Sequence, residues 1–289
     1  MQIQKKKRLT IPEIQHIIDL AHICRRNDGI DYPADLHVNI LKNRKENRLN
    51  DFLFYNNEQL IGVLNMYEFE RPTKLELTGF VHPHFRKQKV GTTLLQTAME
   101  EIQQRDVDEV LLIINGASTS GKEFAEQANL PYLYSEYGME FQLDTQQTTI
   151  QKHTIELIPV STATFLTLLE ISSKAFGDSL TNTSSWLQKI MSSPTHQVYI
   201  SLIHKQPIGT ITVNKQNGFT SLSGFAVHPS YQGKGYGKSI LQYIVHQLLT
   251  EGRTKIELEV ETKNDNALKL YKQCGFEITT RYDYYDLLN

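Results

Sequence analysis

The stretch Phe225-Ala-Val227-His228-Pro229-Ser-Tyr231-Gln232-Gly233-Lys234-Gly235-Tyr236-Gly237 decides how this chain is read. An apolar run ends at Val227, glycines follow at 233, 235 and 237, and a helical pattern begins. From about Gly237 to Thr250, Ile240, Leu241, Ile244, Val245, Leu248 and Leu249 share one face, with Gly252 where a C′ glycine belongs. A strand, a glycine-rich turn and an amphipathic helix make an anion site, because the turn's N–H groups and the helix N-terminus face the ligand. Glycine also lets a phosphate approach the backbone closely. Gly237-Lys238-Ser239 imitates the end of a Walker A loop, but that motif needs glycine where Gln232 stands. The dinucleotide fingerprint G-x-G-x-x-G fails on spacing. Q-x-x-G-x-G fits without a mismatch.

Working outward, the same passage occurs twice. Val81-His82-Pro83 and Val227-His228-Pro229 stand 146 positions apart, as do the apolar runs Val110–Ile114 and Ile256–Val260. Asn57-Glu-Gln-Leu-Ile-Gly62 and Lys205-Gln-Pro-Ile-Gly209 match at 147. One offset kept through three elements means two copies of one domain. The chain's 289 residues suit two domains. The polar stretch Asp144–His153 is the expected boundary, giving domains at 1–147 and 153–289.

In the second copy we expect helices near Thr162–Ala175 and Ser184–Met191, then a hairpin at Val198–Ile203 and Pro207–Val213. Strand Ser221–Val227 and the long helix follow, then strand Lys255–Val260, helix Asn266–Gln273 and a last strand Phe276–Asp286. This order is α+β, a mixed and mostly antiparallel sheet flanked by helices, and not a run of regular βαβ units.

Composition is that of an ordinary globular protein: 39% apolar and 21% charged, with a net charge of −2 that argues against coating nucleic acid. No stretch is long and apolar enough for a membrane span or a signal peptide. Cys24 and Cys274 lie far apart with no metal-ligand spacing, so we expect small core residues, no metal and a reduced cytoplasmic setting.

After the glycine run, Asn264-Asp-Asn-Ala267-Leu-Lys-Leu270-Tyr271-Lys-Gln-Cys-Gly275-Phe276 supplies a second block. The two blocks, in this order with a strand between them, resemble the GNAT acetyltransferase superfamily, whose signatures are R/Q-x-x-G-x-G/A and N-x-x-A-x-x-L-Y-x-x-x-G-F. The resemblance covers essentially all of 153–289. It implies acetyl-CoA as co-substrate, its pyrophosphate held by the backbone of Gln232, Gly233, Lys234, Gly235, Tyr236, Gly237 and Lys238. It also implies that Phe225, Ala226 and Val227 pair with the pantetheine arm, that Asn264 hydrogen-bonds the arm and that Tyr271 stands beside the sulfur.

The implied reaction is direct attack of an amine of a small molecule or peptide on the acyl carbonyl. A backbone N–H near Ala226–Val227 would stabilise the oxyanion, and Tyr271 would protonate the thiolate unless it only packs against the sheet. The strand before the loop lacks the glutamate that family members often place there. Glu259 is the candidate base, directly or through water. The alternation of Glu257, Glu259 and Glu261 with Ile256, Leu258 and Val260 is equally that of a solvated strand face. The missing strand glutamate keeps a second reading open, a non-catalytic acyl-CoA-binding regulatory module.

At the 146 offset the first copy reads Arg86-Lys87-Gln-Lys89-Val-Gly91, with Ser118 for Asn264 and Ala125 for Tyr271. A β-carbon at Lys89 is expected to obstruct the pyrophosphate, so the first copy is expected to keep the fold without the chemistry. Its basic cluster of Arg86, Lys87 and Lys89 retains some attraction for phosphate. The pairing of an intact and a degenerate copy resembles mycothiol synthase and other tandem members. A monomer or homodimer is expected, and acceptor specificity is expected at Phe165–Trp186 and at Tyr282, Tyr284 and Tyr285, whose aromatics either line a pocket or only pack.

Overall fold

The computed structural model describes residues 1–30, 38, 40–44, 48–68, 73–143, 153–216 and 218–288. Of the expected boundary, only His153 falls among them. The chain forms two compact units: Met1–Ser135 with Arg281–Asn289, and Glu136–Thr280.

In the first unit, strands β1 (Gln2–Lys6), β2 (Asp51–Asn56), β3 (Gln59–Tyr67), β4 (Lys74–Val81), β5 (Glu109–Asn115) and β12 (Phe276–Asp286) are hydrogen-bonded in that order. β4 and β5 run parallel and the other pairings are antiparallel. Helix α1 (Ile11–Asp28) starts at a capping box in which Thr10 and Glu13 satisfy each other's amides, and stops at Gly29 with φ 68°. It covers one face of the sheet, burying Ile14, Ile17 and Leu20 against Leu53, Tyr55 and Val63. Helices α2 (Val90–Ile102) and α3 (Thr119–Gln127) belong to the opposite face, where Leu94 and Ala98 meet Phe52, Phe54 and Leu75. Residues 52–55 are therefore apolar without alternation: Phe52 and Phe54 point one way, Leu53 and Tyr55 the other, and both faces are covered.

The second unit repeats this plan. Its strands are β7 (Glu156–Pro159), β8 (His196–Ile203), β9 (Gln206–Lys215), β10 (Thr220–Val227), β11 (Ile256–Glu261) and β6 (Tyr132–Phe141), with β10 and β11 parallel. Helices α4 (Phe165–Phe176) and α5 (Leu180–Met191) pack Leu168, Ile171 and Leu187 on Val198 and Ile200. On the other face, α6 (Tyr236–Thr250) and α7 (Asp265–Gln273) bury Leu241, Ile244 and Tyr271 against Ile211, Leu222 and Leu258. The expected elements are present, each within a few residues of its expected ends.

The compact units differ from the sequence repeats at their last strands. Residues 136–140 of β6, from the first repeat, pair with β11, and Met139 sits in the second unit's core. Residues 282–286 of β12, from the second repeat, pair with β5, and Tyr285 packs on the first unit's core. Of the two readings of the tyrosine-rich last strand, packing is the one the ring contacts support. Tyr284 stacks on Tyr134 at 4.6 Å and Tyr285 meets Tyr132 edge-on at 5.9 Å, all in the first unit.

Candidate active site

The site of the second unit starts where two parallel strands stop pairing. β10 and β11 are in register only from Thr220–Ile256 to Leu222–Leu258, and beyond that they part. The gap is a cleft of about 710 Å3, with Leu222, Leu241 and Leu258 at its apolar floor. Phe225, Ala226 and Val227 form one wall. β10 carries a bulge there: between the pairs Thr212–Ser223 and Gly209–Val227, β9 advances three residues and β10 advances four. Gly224, at φ 53°, takes the turn, and its carbonyl accepts a 3.0 Å hydrogen bond from Thr210 Oγ1. A β-carbon on Gly224 would lie 3.1 Å from Thr212 Oγ1 and 3.2 Å from the Trp186 ring, so a side chain there would crowd both as well as strain the left-handed backbone.

The glycine run closes the mouth of the cleft. His228 Nδ1 accepts from the Ser230 amide and shapes the turn Pro229–Tyr231. Gln232 Nε2 then donates to the Val227 carbonyl at 2.9 Å, tying the loop back to β10. Gly233 and Gly235 have φ of 75° and 86°. Gly235 is the N-cap of α6, and no side chain caps that helix, so its first amides are left for a ligand or solvent. Open, unfilled N–H groups between two left-handed glycines fit a pyrophosphate. Gln232, Gly233, Gly235, Tyr236 and Gly237 line the cleft; Lys234 and Lys238 do not. Lys234 Nζ donates instead to the Ser230 carbonyl at 3.0 Å, leaving its backbone as its part of the loop.

Asn264, Glu259 and Tyr271 line the same cleft. Asn264 Oδ1 caps α7 by accepting from the Ala267 amide at 3.1 Å, so the side chain first starts a helix. Tyr271, on the next turns of α7, is buried and lies 6.2 Å from both Phe225 and Phe276, ring to ring. Burial, with a smaller contribution from Cys274, pushes its hydroxyl up to about 12. Glu259 is exposed and lies on the face of β11 opposite Leu258 and Val260. The acid and base candidates thus reach one gap from opposite faces of the sheet.

The sequence reading missed one neighbour of this site. His153 Nε2 donates to the Lys234 carbonyl at 3.2 Å, and its ring meets Tyr236 edge-on at 4.7 Å. Ala175 and Phe176 end α4 at the rim. Both fall within the stretch Phe165–Trp186 expected to shape the acceptor end, and Gly177 marks where α4 stops. Cys24 and Cys274 are buried as expected, and burial raises both thiols to about 11. Among the described residues no cluster of His, Cys, Asp and Glu has the makings of a metal site, and no helix is long and apolar enough to cross a membrane.

Residues 14–127 and again 165–276 match the Acetyltransferase (GNAT) family. The chain belongs to the GNAT family, in tandem. A [ribosomal protein bS18]-alanine N-acetyltransferase from Haemophilus ducreyi is 40% identical over 68 residues, 23% of this chain and 47% of that protein. The chain thus spans about half the length of this relative. An uncharacterized N-acetyltransferase from Bacillus subtilis is 26% identical over 149 residues, 44% of this chain and 94% of that one. Among solved structures, a GCN5-related N-acetyltransferase from Sphaerobacter thermophilus superposes with a TM-score of 0.81 at 20% identity, covering 99% of this chain and 95% of its own. A tandem GNAT protein from the clavulanic acid biosynthesis pathway gives 0.74 at 12% identity, with 99% and 98% covered. These likenesses are of fold.

Proposed function

We propose that the second repeat, residues 153–289, is an acyl-CoA-dependent N-acyltransferase, with acetyl-CoA as donor and a primary amine of a small molecule or peptide as acceptor. The observation that carries it is the bulged strand: the loop, the out-of-register backbone at Gly224–Phe225, Tyr271 and Glu259 all line one cleft.

When bound, the co-substrate supplies a thioester carbonyl. The backbone of 232–238 would hold the pyrophosphate, and the edge of β10 at Phe225–Val227 would hold the arm by main-chain hydrogen bonds. The bulge takes Gly224 and Phe225 out of register with β9, and a backbone N–H between there and Val227 would meet negative charge growing on the carbonyl oxygen. Tyr271, kept protonated by burial, donates a proton to the leaving sulfur. Glu259 takes the proton of the incoming ammonium, directly or through water, from the other face. The relatives' names include acetylation of a ribosomal protein's alanine, which supports an amine acceptor and leaves this chain's own acceptor to experiment.

Release of free thiol from acetyl-CoA, followed with a panel of small and peptide amines, tests the reading. Turnover on any amine supports it. Tight acetyl-CoA binding with no turnover on the whole panel would favour the regulatory module instead.

A further inference from the structure

The first repeat has kept the scaffold of this site and changed its chemistry. β4 and β5 also part after Leu77–Leu112, and the loop after β4 has the same backbone course: Lys87 and Lys89 hold φ of 59° and 62° where the second repeat has Gly233 and Gly235. A cavity of about 340 Å3 opens there, walled by Val81, Phe85, Val90, Leu94, Leu112 and Phe124. Ala125 stands at the position of Tyr271, so no tyrosine hydroxyl is available there.

Two of the three cations at the cavity's mouth, Arg86 and Lys87, are paired with carboxylates, and Lys89 is the third. Arg86 Nη1 and Nη2 donate to both carboxylate oxygens of Asp28 at 2.8 and 2.6 Å, while Arg86 Nε donates to the Val81 carbonyl. Lys87 pairs with Glu123 at 3.1 Å, and Glu123 itself lines the cavity. At the two equivalent places the second repeat has Phe176, which like Asp28 precedes a C-cap glycine, and Lys269. One repeat flanks its loop with carboxylates and the other does not. Two polar side chains of the cavity wall are engaged as well: Asn115 Oδ1 accepts from the Ala117 amide and Ser118 Oγ from the Gly121 amide.

We propose that this cavity is a binding site for a small, uncharged, apolar molecule and rejects the nucleotide cofactor. A polyanion entering it would lie against Glu123 and would have to draw Arg86 from a two-pronged, half-buried ion pair. An apolar guest loses no hydrogen bonds on entry, and the volume falls within the usual range for small-molecule sites. The site stands independently of acyl transfer by the second repeat.

The test uses the full chain and a neutral apolar fluorophore, N-phenyl-1-naphthylamine, titrated in the presence of saturating acetyl-CoA so that the second cleft is filled. Saturable binding is expected. Affinity should fall tenfold or more in Ser120→Trp, whose indole enters the cavity mouth, and stay unchanged in Ser120→Ala, which controls for folding. Displacement of the fluorophore by acetyl-CoA, or equal affinity in Ser120→Trp, overturns the proposal. Acetyl-CoA stoichiometry separates the two readings. One per chain, lost in Gly235→Lys, is expected; two per chain overturns the apolar site. None overturns the proposed function and leaves the Ser120 variants to decide this site. One that survives Gly235→Lys places the nucleotide in the first repeat and overturns both.

Discussion

Burial of the Tyr271 hydroxyl has two opposite consequences for what pH does. In the folded state it ionises near 12 and in the unfolded chain near its ordinary value of about 10. Its contribution to stability is therefore complete below pH 10 and is lost as pH rises from about 10 through about 12. Urea unfolding of wild type and Tyr271→Phe at pH 8 and at pH 11 should show a smaller alkaline loss in the variant. The same burial keeps the donor protonated wherever the enzyme works, so the pH profile of kcat should show no falling limb near 10 from this group. Removing the hydroxyl should lower kcat by about 100-fold or more with the Kd for acetyl-CoA nearly unchanged; full activity in Tyr271→Phe would remove it from the mechanism. Gly235→Lys makes a cleaner loop test than its sequence suggests. A β-carbon at 235 meets nothing nearer than His153 Nε2 at 3.8 Å, and Lys89 already holds the same left-handed backbone. The variant should fold, at a backbone cost of about 1–2 kcal/mol, and lose cofactor affinity; unchanged affinity would mean the loop does not hold the pyrophosphate.

The bulge is the element that separates the two repeats, and the sequence carried it in plain view. The first repeat reads Gly79-Phe80-Val81 and the second Gly224-Phe225-Ala226-Val227, one residue longer. In β4 the pairs Asn65–Thr78 and Gly62–Val81 are reached in three steps on each strand, so that strand is regular. Matching the Val-His-Pro triplets at 146 hid this, because hairpin lengths upstream differ in the opposite sense. Deleting Ala226 restores the first-repeat spacing. We expect a protein with wild-type circular dichroism whose kcat/KM falls about 100-fold or more, and turnover within a few-fold of wild type would show the bulge has no catalytic part. Other elements were legible because their signals are local: glycines at alternate positions, an apolar helix face, and the C′ glycine at 252. His153 was not, since its tie to the Lys234 carbonyl joins residues 81 apart through a main-chain atom that has no sequence signature.

At the scale of the whole molecule, a strand's pattern states which of its faces is apolar and says nothing about which strand it pairs with. Residues 132–141 and 276–286 read equally well as the last strand of their own repeats, and each completes the other unit's sheet instead. The repeat boundary is thus a poor place to cut. A fragment of 153–289 lacks the strand that pairs with Glu257–Glu261, leaving an open edge beside the cleft and removing Met139 from the core around Leu258 and Phe276. Loss of a buried methionine alone costs about 2–5 kcal/mol, a large share of a domain's 5–15 kcal/mol, and an unpaired edge invites association. We therefore expect 153–289 to unfold without a cooperative transition or to aggregate, while 132–289, which restores β6, melts cooperatively and releases thiol from acetyl-CoA. Calorimetry and gel filtration of the two fragments check this. A well-folded, active 153–289 would show that the exchanged strand contributes nothing the second unit needs.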